Sequence, residues 1–301
     1  MHFKGKSENS SGMVRKMFSH FMTMLNALKL PTYALNLVIS LRILLLLIVD
    51  FFRSFFNIIY PYAAEICRRL QRTFLRNFLV KVEGIYFIVP DYRALKIVAL
   101  ELSEPHVYRF FKRALHEGYC FLDVGAHIGS YSLRAAKLVG SNGIVVAVEP
   151  HPENALLLRI NMMLNGFNNI RIVEAAAWNK RDNIIFIYMY IGAESGWHSL
   201  KGEKVGTIPS VMVSCIPVDD VVRELGLSRV DLIKIDVEGA EIEVLQGLRC
   251  TLINFKPHVI VEVHSYDNLQ KVIGIAKELG MVVLKLCETH YLLVPSIRAT
   301  T

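Results

Sequence analysis

Residues 231–247 read DLIKIDVEGAEIEVLQG, and this stretch decides the fold. Its first half is an apolar, mostly branched run that is typical of a buried strand, yet Lys234 and Asp236 interrupt it. Asp236 and Glu238 then precede Gly239. Because burying a charge is costly unless the charge is paired or hydrogen-bonded, these residues predict a polar site at the end of a buried strand.

Around this stretch, apolar strand-like runs alternate with helical patterns from about residue 79 onward. Such alternation is typical of a parallel sheet that helices cover on both faces. We therefore predict an α/β fold with a doubly wound, mostly parallel sheet. Ligands of these sheets bind at the carboxyl ends of the strands. Here those ends carry Asp123, Glu149, Asp236, Glu238, Glu262 and His264.

A glycine turn follows one of these strands in residues 121–130, FLDVGAHIGS. Gly125 and Gly129 permit tight turning and close backbone approach, but their spacing is neither the GxGxxG dinucleotide fingerprint nor a P-loop. Asp123, the acid before the glycines, suits a cationic amino group better than a pyrophosphate. Glu149, at the end of the next strand, can bind both hydroxyls of a ribose. S-adenosylmethionine has an ammonium and a ribose, so the two acids predict this cofactor; the alternative is a tight turn beside an incidental acid.

Four segments, in this order and spacing, resemble the FkbM-type S-adenosylmethionine-dependent methyltransferases: FLDVGAHIGSYS, VAVEPHPEN, DLIKIDVEGAE and VIVEVH. The resemblance covers about residues 100 to 265, and the loop GAESGWHSL at 192–200 is similar to that family's Gly/Ser loop. It implies a seven-stranded, Rossmann-like class I methyltransferase sheet. It also implies methyl transfer to a hydroxyl oxygen, often on a sugar or a natural product. The family usually has asparagine at the position of His127.

The residues expected to bind S-adenosylmethionine come from the glycine turn, from the strands that follow it and from the turn after Ile235. They are Asp123, Gly125, Ala126, His127, Gly129, Glu149, Pro150, Ala176, Asp236 and Glu238. Acids in the first turn of a helix also complement the helix dipole, and we prefer that role for Glu241. For Asp236 and Glu238 we prefer the site.

Four residues near the ends of two strands are expected to carry the chemistry: Lys234, Asp236, Glu262 and His264. The members of each pair are two residues apart and share one face of a strand, and Lys234 can pair with Asp236 or with Glu238. Because the sulfonium is already activated, the protein has to align the acceptor oxygen and remove its proton. His264 is a general-base candidate because imidazole titrates near neutrality, and Asp236 is the alternative.

No metal ion and no disulfide framework are expected. Asp236, Glu238 and Glu262 are hard oxygen ligands of the kind that Mg²⁺ takes, but nothing in their spacing demands a metal. The five cysteines are scattered and form no CxxC motif, which is typical of a reduced intracellular protein. We therefore expect a cytoplasmic location.

The N-terminal segment differs in charge from the rest of the chain. Of the 34 Lys/Arg and 27 Asp/Glu, residues 1–80 hold 11 and 3, a net charge of +8, which leaves 23 and 24, a net of −1, for residues 81–301. We predict two parts. Residues 1–78 form a helical, amphipathic and basic segment, and residues 79–301 form the methyltransferase domain.

Residues 33–60 form the predicted amphipathic helix, because Arg42, Asp50 and Arg53 fall on one side of it at about 100° per residue. Two interpretations stay open. The helix lies at the cytoplasmic face of a membrane, with arginines near anionic lipid, or it packs on the body or on a second subunit, which would make a homo-oligomer through residues 33–78. The charges disfavour a spanning helix, which needs about 20 largely apolar residues.

Three other functions compete with methyl transfer to a hydroxyl. The missing GxGxxG disfavours a nicotinamide-dependent oxidoreductase. The net charge of −1 over residues 81–301 lacks the basic footprint of a nucleic-acid partner, so we expect none. The acids at the strand ends are all present, which disfavours a membrane-bound scaffold that keeps the fold but catalyses no methyl transfer. The expected acceptor is a hydroxyl-bearing small molecule, a sugar, or a glycan- or lipid-linked molecule.

Overall fold

The computed structural model describes residues 78–90, 94–187 and 210–296, with the side chains of 183–187, 210 and 211 left out. The predictions for residues 1–77 and for the loop at 192–200 lie outside the described residues. The chain divides into two compact units between Leu102 and Ser103. In the described ranges, none of the helices has both the length and the apolar character needed to cross a membrane.

The described part of the first unit is a β-hairpin followed by short helices. Strands β1 (Phe78–Val82) and β2 (Ile85–Val89) pair antiparallel, and alternate residues of each are buried, as expected for strands with one face on a core. Their turn, Glu83 and Gly84, has positive φ at both positions, which suits the twist of a tight hairpin. Helices α1 (Leu95–Val98) and α2 (Leu100–Ser103) follow.

The second unit is built on a seven-stranded sheet. In spatial order its strands are β11 (Met281–Lys285), β12 (His290–Pro295), β10 (His258–Glu262), β9 (Leu232–Ile235), β3 (Cys120–Val124), β4 (Ile144–Val148) and β5 (Ile170–Val173). The strands from β10 to β5 are parallel, while β12 is antiparallel to both β10 and β11. The prediction of a doubly wound, mostly parallel seven-stranded sheet is confirmed.

Helices join these strands. They are α3 (Pro105–Ala114), α4 (Ser130–Val139), α5 (Pro152–Leu164), α6 (Val218–Glu224), α7 (Glu241–Gln246), α8 (Arg249–Phe255) and α9 (Tyr266–Glu278). The chain runs from β3 outward to β5 and later returns to β9 on the other side of β3. The strand order therefore reverses between β3 and β9, which is where ligands of open α/β sheets bind.

Buried apolar residues hold the two central strands in place. All residues of β3 and β9 are buried, and Leu122 and Ile233 lie in one core cluster with Leu245 of α7 and Val272 of α9. Each large apolar side chain that is fully buried contributes roughly 1.5–3 kcal/mol to folding. The ends of β3 and β9 are thus fixed by packing that does not depend on the polar groups beyond them.

A separate three-stranded sheet follows β5. Strand β6 (Ala176–Ala177) pairs parallel with β8 (Ser210–Ile216), and β7 (Asp182–Ile187) pairs antiparallel with β8. The apolar runs on both sides of the 192–200 loop predict strands, and the described parts of both runs are strands. They pair with each other and not with the seven-stranded sheet.

The apolar pattern of residues 240–252 predicts a single helix. This prediction is wrong, because Gly247 divides the segment into α7 and α8. The carbonyl of Gly247 accepts a hydrogen bond from the Asp219 amide at 2.9 Å. A Cβ at Gly247 would overlap the carbonyl oxygen of Trp178. A helical apolar pattern in the sequence does not reveal that another backbone segment needs this space.

Candidate active site

The glycine turn lies against the end of β9. Gly125 has a φ of +86°, and a Cβ at this position would overlap the carbonyl oxygen of Asp236. The amides of Gly125 and Ala126 both donate to the carbonyl of Val148 at the end of β4. The turn therefore bridges the ends of three strands, and glycine is required for close backbone approach, as predicted from its place after Asp123.

His127 stands in the turn with a φ of +51°. This left-handed conformation is uncommon for residues other than glycine, but asparagine, aspartate and histidine adopt it several-fold more often than the rest. The main chain thus explains how a histidine can stand where asparagine is usual in the similar family. Burial lowers the pKa of His127 to about 4, so its imidazole is neutral near pH 7.

Glu149 holds the turn through hydrogen bonds. Its Oε2 accepts from the His127 amide at 2.7 Å, and its Oε1 accepts from the His151 amide at 3.0 Å and from Asn154 Nδ2 at 3.3 Å. Burial raises the pKa of Glu149 to about 7. A carboxylate has about four acceptor positions, so one position is left for a ligand hydroxyl.

Asp123 is also buried and bound by the protein. Its Oδ2 accepts a hydrogen bond from Ser132 Oγ at 2.5 Å, and its neighbour across the sheet is Lys234. Burial raises the pKa of Asp123 to about 6, although the charge of Lys234 acts in the opposite direction. Of the other residues predicted for the cofactor, Ala126 and Ala176 are buried and Pro150 is half-buried.

Lys234 and Asp236 form an ion pair on β9, with Lys234 Nζ 2.7 Å from Asp236 Oδ2. The Lys234 side chain is 3% exposed, and Nζ also lies 4.7 Å from the centroid of the Tyr131 ring. Burial disfavours the charged lysine, but Asp236 and further carboxylates outweigh it and raise the Lys234 pKa. Burial likewise acts against ionised Asp236, and Lys234 outweighs it and lowers the Asp236 pKa. The pair is therefore ionised.

His264 lies beside two carboxyl groups just beyond β10. Its Nε2 is 3.5 Å from Glu262 Oε1 and 3.7 Å from Glu238 Oε2, and its side chain is 51% exposed. Burial and the charge of Asp236 raise the pKa of Glu262, and the same two causes raise the pKa of Glu238 to about 7. The structure thus brings together the four residues predicted for the chemistry and adds Glu238 to them.

Four further residues complete this cluster, and the sequence interpretation missed them. Tyr131 Oη donates to Glu104 Oε2 at 2.6 Å, and Thr289 Oγ1 donates to Glu262 Oε1 at 3.2 Å. His290 Nε2 is 3.6 Å from both Glu104 Oε2 and Glu262 Oε2. Nothing in the sequence around Glu104 or Thr289 marks either residue as part of a site. The antiparallel register that places His290 opposite Glu262 has no local signal.

The carboxyl edge of the sheet fits a positively charged cofactor such as S-adenosylmethionine. Asp123, Asp236, Glu238 and Glu262 lie close enough to Lys234 for their charges to interact with it, and Glu149 lies at the end of β4. The side chains of Asp236 and Glu238 remain 28% and 33% exposed, so a ligand can reach them. Asp123 and Glu149 are buried and accept hydrogen bonds from the protein itself. Over the described ranges, no three His, Cys, Asp or Glu side chains are grouped closely enough to hold a metal ion.

Comparison with known families places this site in a methyltransferase domain. Residues 123–291, more than half of the chain, match the family model of the Methyltransferase FkbM domain. The matched range begins at Asp123 and ends one residue after His290. It therefore contains the glycine turn, the ion pair on β9, His264 and the β12 hairpin.

Curated relatives match over shorter parts. Hexuronic acid methyltransferase AglP of Haloferax volcanii is 30% identical over 165 residues, which cover 54% of this chain and 63% of the relative. A probable cobalt-precorrin-6B C(15)-methyltransferase of Sulfolobus acidocaldarius is 34% identical over 91 residues, 30% of this chain and 47% of the relative. The chain thus spans about half the length of the curated relatives that it matches. Among solved structures, methyltransferase FkbM from Methylobacillus flagellatus is 16% identical with a TM-score of 0.42, covering 67% of this chain and 53% of that chain.

Proposed function

The chain belongs to the FkbM methyltransferase family and is an S-adenosylmethionine-dependent methyltransferase; on this premise we propose that it transfers the methyl group to a hydroxyl oxygen. The acceptor class that we propose is a small molecule, a sugar or a glycan. One observation carries the proposal. An exposed imidazole, His264, stands beside Glu262 and Glu238 at the carboxyl end of the strands, where a neutral hydroxyl needs a base.

When bound, S-adenosylmethionine supplies a methyl group on a positively charged sulfur, so a new carbon–oxygen bond forms as the carbon–sulfur bond breaks. The residues of the chain then have two tasks. Glu149 and the glycine turn that it holds shape the cofactor side, and Asp236 and Glu238 supply negative charge that a cationic ligand can reach. His264 takes the proton that the hydroxyl loses, and Glu238 stabilises the imidazolium that results.

His264 is a better base than Asp236 in this proposal. Lys234 Nζ holds Asp236 Oδ2 at 2.7 Å, and the lowered pKa of Asp236 makes its carboxylate a weak proton acceptor. A general base works best with a pKa near the operating pH. Asp236 instead fixes Lys234 and adds negative charge, while His264 remains accessible to an acceptor.

The acceptor class is inferred from chemistry and from one relative. AglP is described as a hexuronic acid methyltransferase, and a hexuronic acid offers both hydroxyls and a carboxyl group to a methyl donor. A carboxylate acceptor has no proton to lose, whereas a hydroxyl acceptor does. The imidazole at the site therefore favours the hydroxyl, and methyl transfer would give an ether.

We also propose that residues 33–78 attach the chain to the cytoplasmic face of a membrane, with packing on a second subunit as the alternative. This rests on the basic composition of residues 1–80 and on the polar stripe formed by Arg42, Asp50 and Arg53. We propose a cytoplasmic location for the methyltransferase domain on the basis of its scattered cysteines.

Incubation of the full chain with methyl-labelled S-adenosylmethionine and hexuronic acid or extracted glycans tests the proposal. We expect label in a product that is 14 mass units heavier and survives mild alkali, because ethers resist alkali and methyl esters do not.

His264→Gln should lower turnover by about 100-fold and leave cofactor affinity unchanged. His258→Gln, which changes an exposed histidine at the other end of β10, should be neutral. Alkali-labile label, or full turnover in His264→Gln, contradicts transfer to a hydroxyl by this base.

A further inference from the structure

The carboxyl group of Glu262 lies between two imidazoles. His264 Nε2 is 3.5 Å from Oε1, and His290 Nε2 is 3.6 Å from Oε2. His264 is half-exposed and available to an acceptor, whereas the His290 side chain is only 4% exposed. The two histidines come from different strand ends and meet at one carboxyl group because β10 and β12 pair with Glu262 opposite His290.

We propose that His290 is a positioning residue for methyl transfer, one that directs its Nε2 hydrogen at Glu262 and thereby keeps this carboxyl able to ionise beside His264. The inference rests on the proposed function, because it assigns His264 as the base. It adds a buried residue from outside the predicted site. His290 acts through Glu262 and contacts neither acceptor nor cofactor.

The surroundings of His290 determine which of its nitrogens carries the hydrogen. Nδ1 lies 3.1 Å from Thr289 Oγ1, whose hydrogen goes to Glu262, and 3.5 Å from Cys287 Sγ, and the thiol of Cys287 can donate to Nδ1. Nε2 faces two carboxyl oxygens, of Glu104 and Glu262, at 3.6 Å each. A lone pair aimed at an ionised carboxylate is repelled and an N–H is attracted, so the neutral imidazole carries its hydrogen on Nε2 once Glu262 is ionised.

Nε2 has no hydrogen-bond partner at normal distance among the described residues, although it is fully buried. A buried donor without a partner destabilises the folded chain. The oxygen of Glu104 that faces Nε2 already accepts from Tyr131, whereas Thr289 donates to Glu262 Oε1 and not to the Oε2 that faces Nε2. Glu262 is therefore the group that can close the remaining distance when it ionises. An N–H beside a carboxyl group favours the charged form. His290 therefore opposes the effects that keep Glu262 protonated.

Charged groups face Glu262 from every neighbouring element. They are Asp236 and Lys234 on β9, Glu104 before α3, Glu238 in the turn after β9, His264 after β10 and His290 on β12. Burial and Asp236 raise the pKa of Glu262, and Lys234 lowers it. Loss of the His290 donor leaves Lys234 and the Thr289 hydroxyl as the groups that favour ionised Glu262. The Glu262 titration should then move to higher pH.

Carboxyl NMR titration of the ¹³C-glutamate-labelled full chain tests this, with the Glu262 signal assigned by its loss in Glu262→Gln. In His290→Phe the midpoint of Glu262 should rise by about one pH unit. His290→Met, which also lacks the N–H but adapts its shape, serves if the phenylalanine variant does not fold. His290→Gln keeps an N–H donor and should stay near the wild-type midpoint. His258→Phe is the control, because His258 is on the same strand as Glu262 and lies at its other end.

An unchanged Glu262 midpoint in both apolar variants overturns the proposal. An equal shift of the midpoint in His290→Gln also overturns it, because the packing of the side chain rather than its N–H donor would then be responsible.

The titration needs no acceptor molecule. If the wild-type chain transfers no methyl group to a hydroxyl, the proposed function fails while the titration result stands. Where transfer is seen, we expect the apolar variants to lower kcat by roughly tenfold with unchanged cofactor affinity.

Discussion

Lys234 and Asp236 are two residues apart on β9 and form a 2.7 Å ion pair whose lysine is almost fully buried. A second pair with the same spacing, Lys180 and Asp182, lies at 3.2 Å with side chains that are 69% and 48% exposed. The chain thus contains a buried and an exposed version of one local arrangement. The comparison separates the effect of burial from the effect of sequence spacing.

The buried pair should be far more costly to break than the exposed pair. Lys234→Met leaves Asp236 without its cation, and removing one partner of a buried pair costs about 3–5 kcal/mol. Lys180→Met removes an exposed partner, and such pairs contribute about 0–1 kcal/mol. Urea unfolding of both variants measures the difference. Equal losses of unfolding free energy would show that the Lys234–Asp236 pair is not effectively buried.

Alanine at Gly125 should disrupt the turn. The new Cβ would overlap the Asp236 carbonyl oxygen in a backbone with φ of +86°, so β9 and the turn must separate. Gly166 has a φ of +66° and open space around it, so Gly166→Ala should cost only about 1–2 kcal/mol. We expect Gly125→Ala to cost more and to abolish cofactor binding by calorimetry. Wild-type affinity in Gly125→Ala would contradict this role of the turn.

Much of the fold could be predicted because its signals are local. Apolar strands that alternate with helices predict a parallel sheet, and the acids after β3, β4, β9 and β10 lie at its carboxyl edge as expected. Strands β3 and β9 are neighbours, with Asp123 beside Lys234, so the polar residues near both strand ends lie close together. The residues predicted for the chemistry were found together for the same reason, since strand ends converge at one edge.

The rest depended on contacts between distant segments. His290 stands in an apolar run at the start of β12, and only the antiparallel register with β10 places it opposite Glu262. Tyr131 reads as an ordinary residue of α4, yet its hydroxyl reaches Glu104. Gly247 ends a helix because Trp178 occupies the space beside it. None of these partners is adjacent in sequence, so local periodicity could not identify them.

The stability of the chain should depend on the ionisation of Glu149. Burial raises its pKa from 4.5 to about 7, so the folded state holds the proton more tightly than the unfolded state. The stabilisation is fully present below the unfolded pKa and is lost as the pH rises through about 7. The difference in pKa corresponds to roughly 3 kcal/mol.

Glu149→Gln removes this titration, so its unfolding free energy should fall less between pH 5 and pH 7.5 than that of the wild type. Urea unfolding at several pH values gives the comparison. Glu174→Gln is the control, because Glu174 is exposed beside Arg159 at the end of β5. Parallel pH curves for wild type and Glu149→Gln would mean that Glu149 titrates alike in the folded and the unfolded chain.

The arginines of the N-terminal segment should control membrane attachment, if that segment lies at a lipid surface. Arg68, Arg69, Arg72 and Arg76 would each contribute about 1 kcal/mol near anionic lipid, so changing all four to glutamine should release the full chain from anionic vesicles in flotation. Wild-type flotation should weaken as salt increases, because salt screens exposed charges.

The control changes four arginines of the methyltransferase domain, Arg159, Arg171, Arg223 and Arg249, to glutamine, which lowers the net charge equally. Equal release by both sets would indicate net charge rather than a local basic surface. No flotation of the wild type at any salt concentration, together with a stable oligomer that the four N-terminal changes leave intact, would favour subunit packing through the apolar face of residues 33–60.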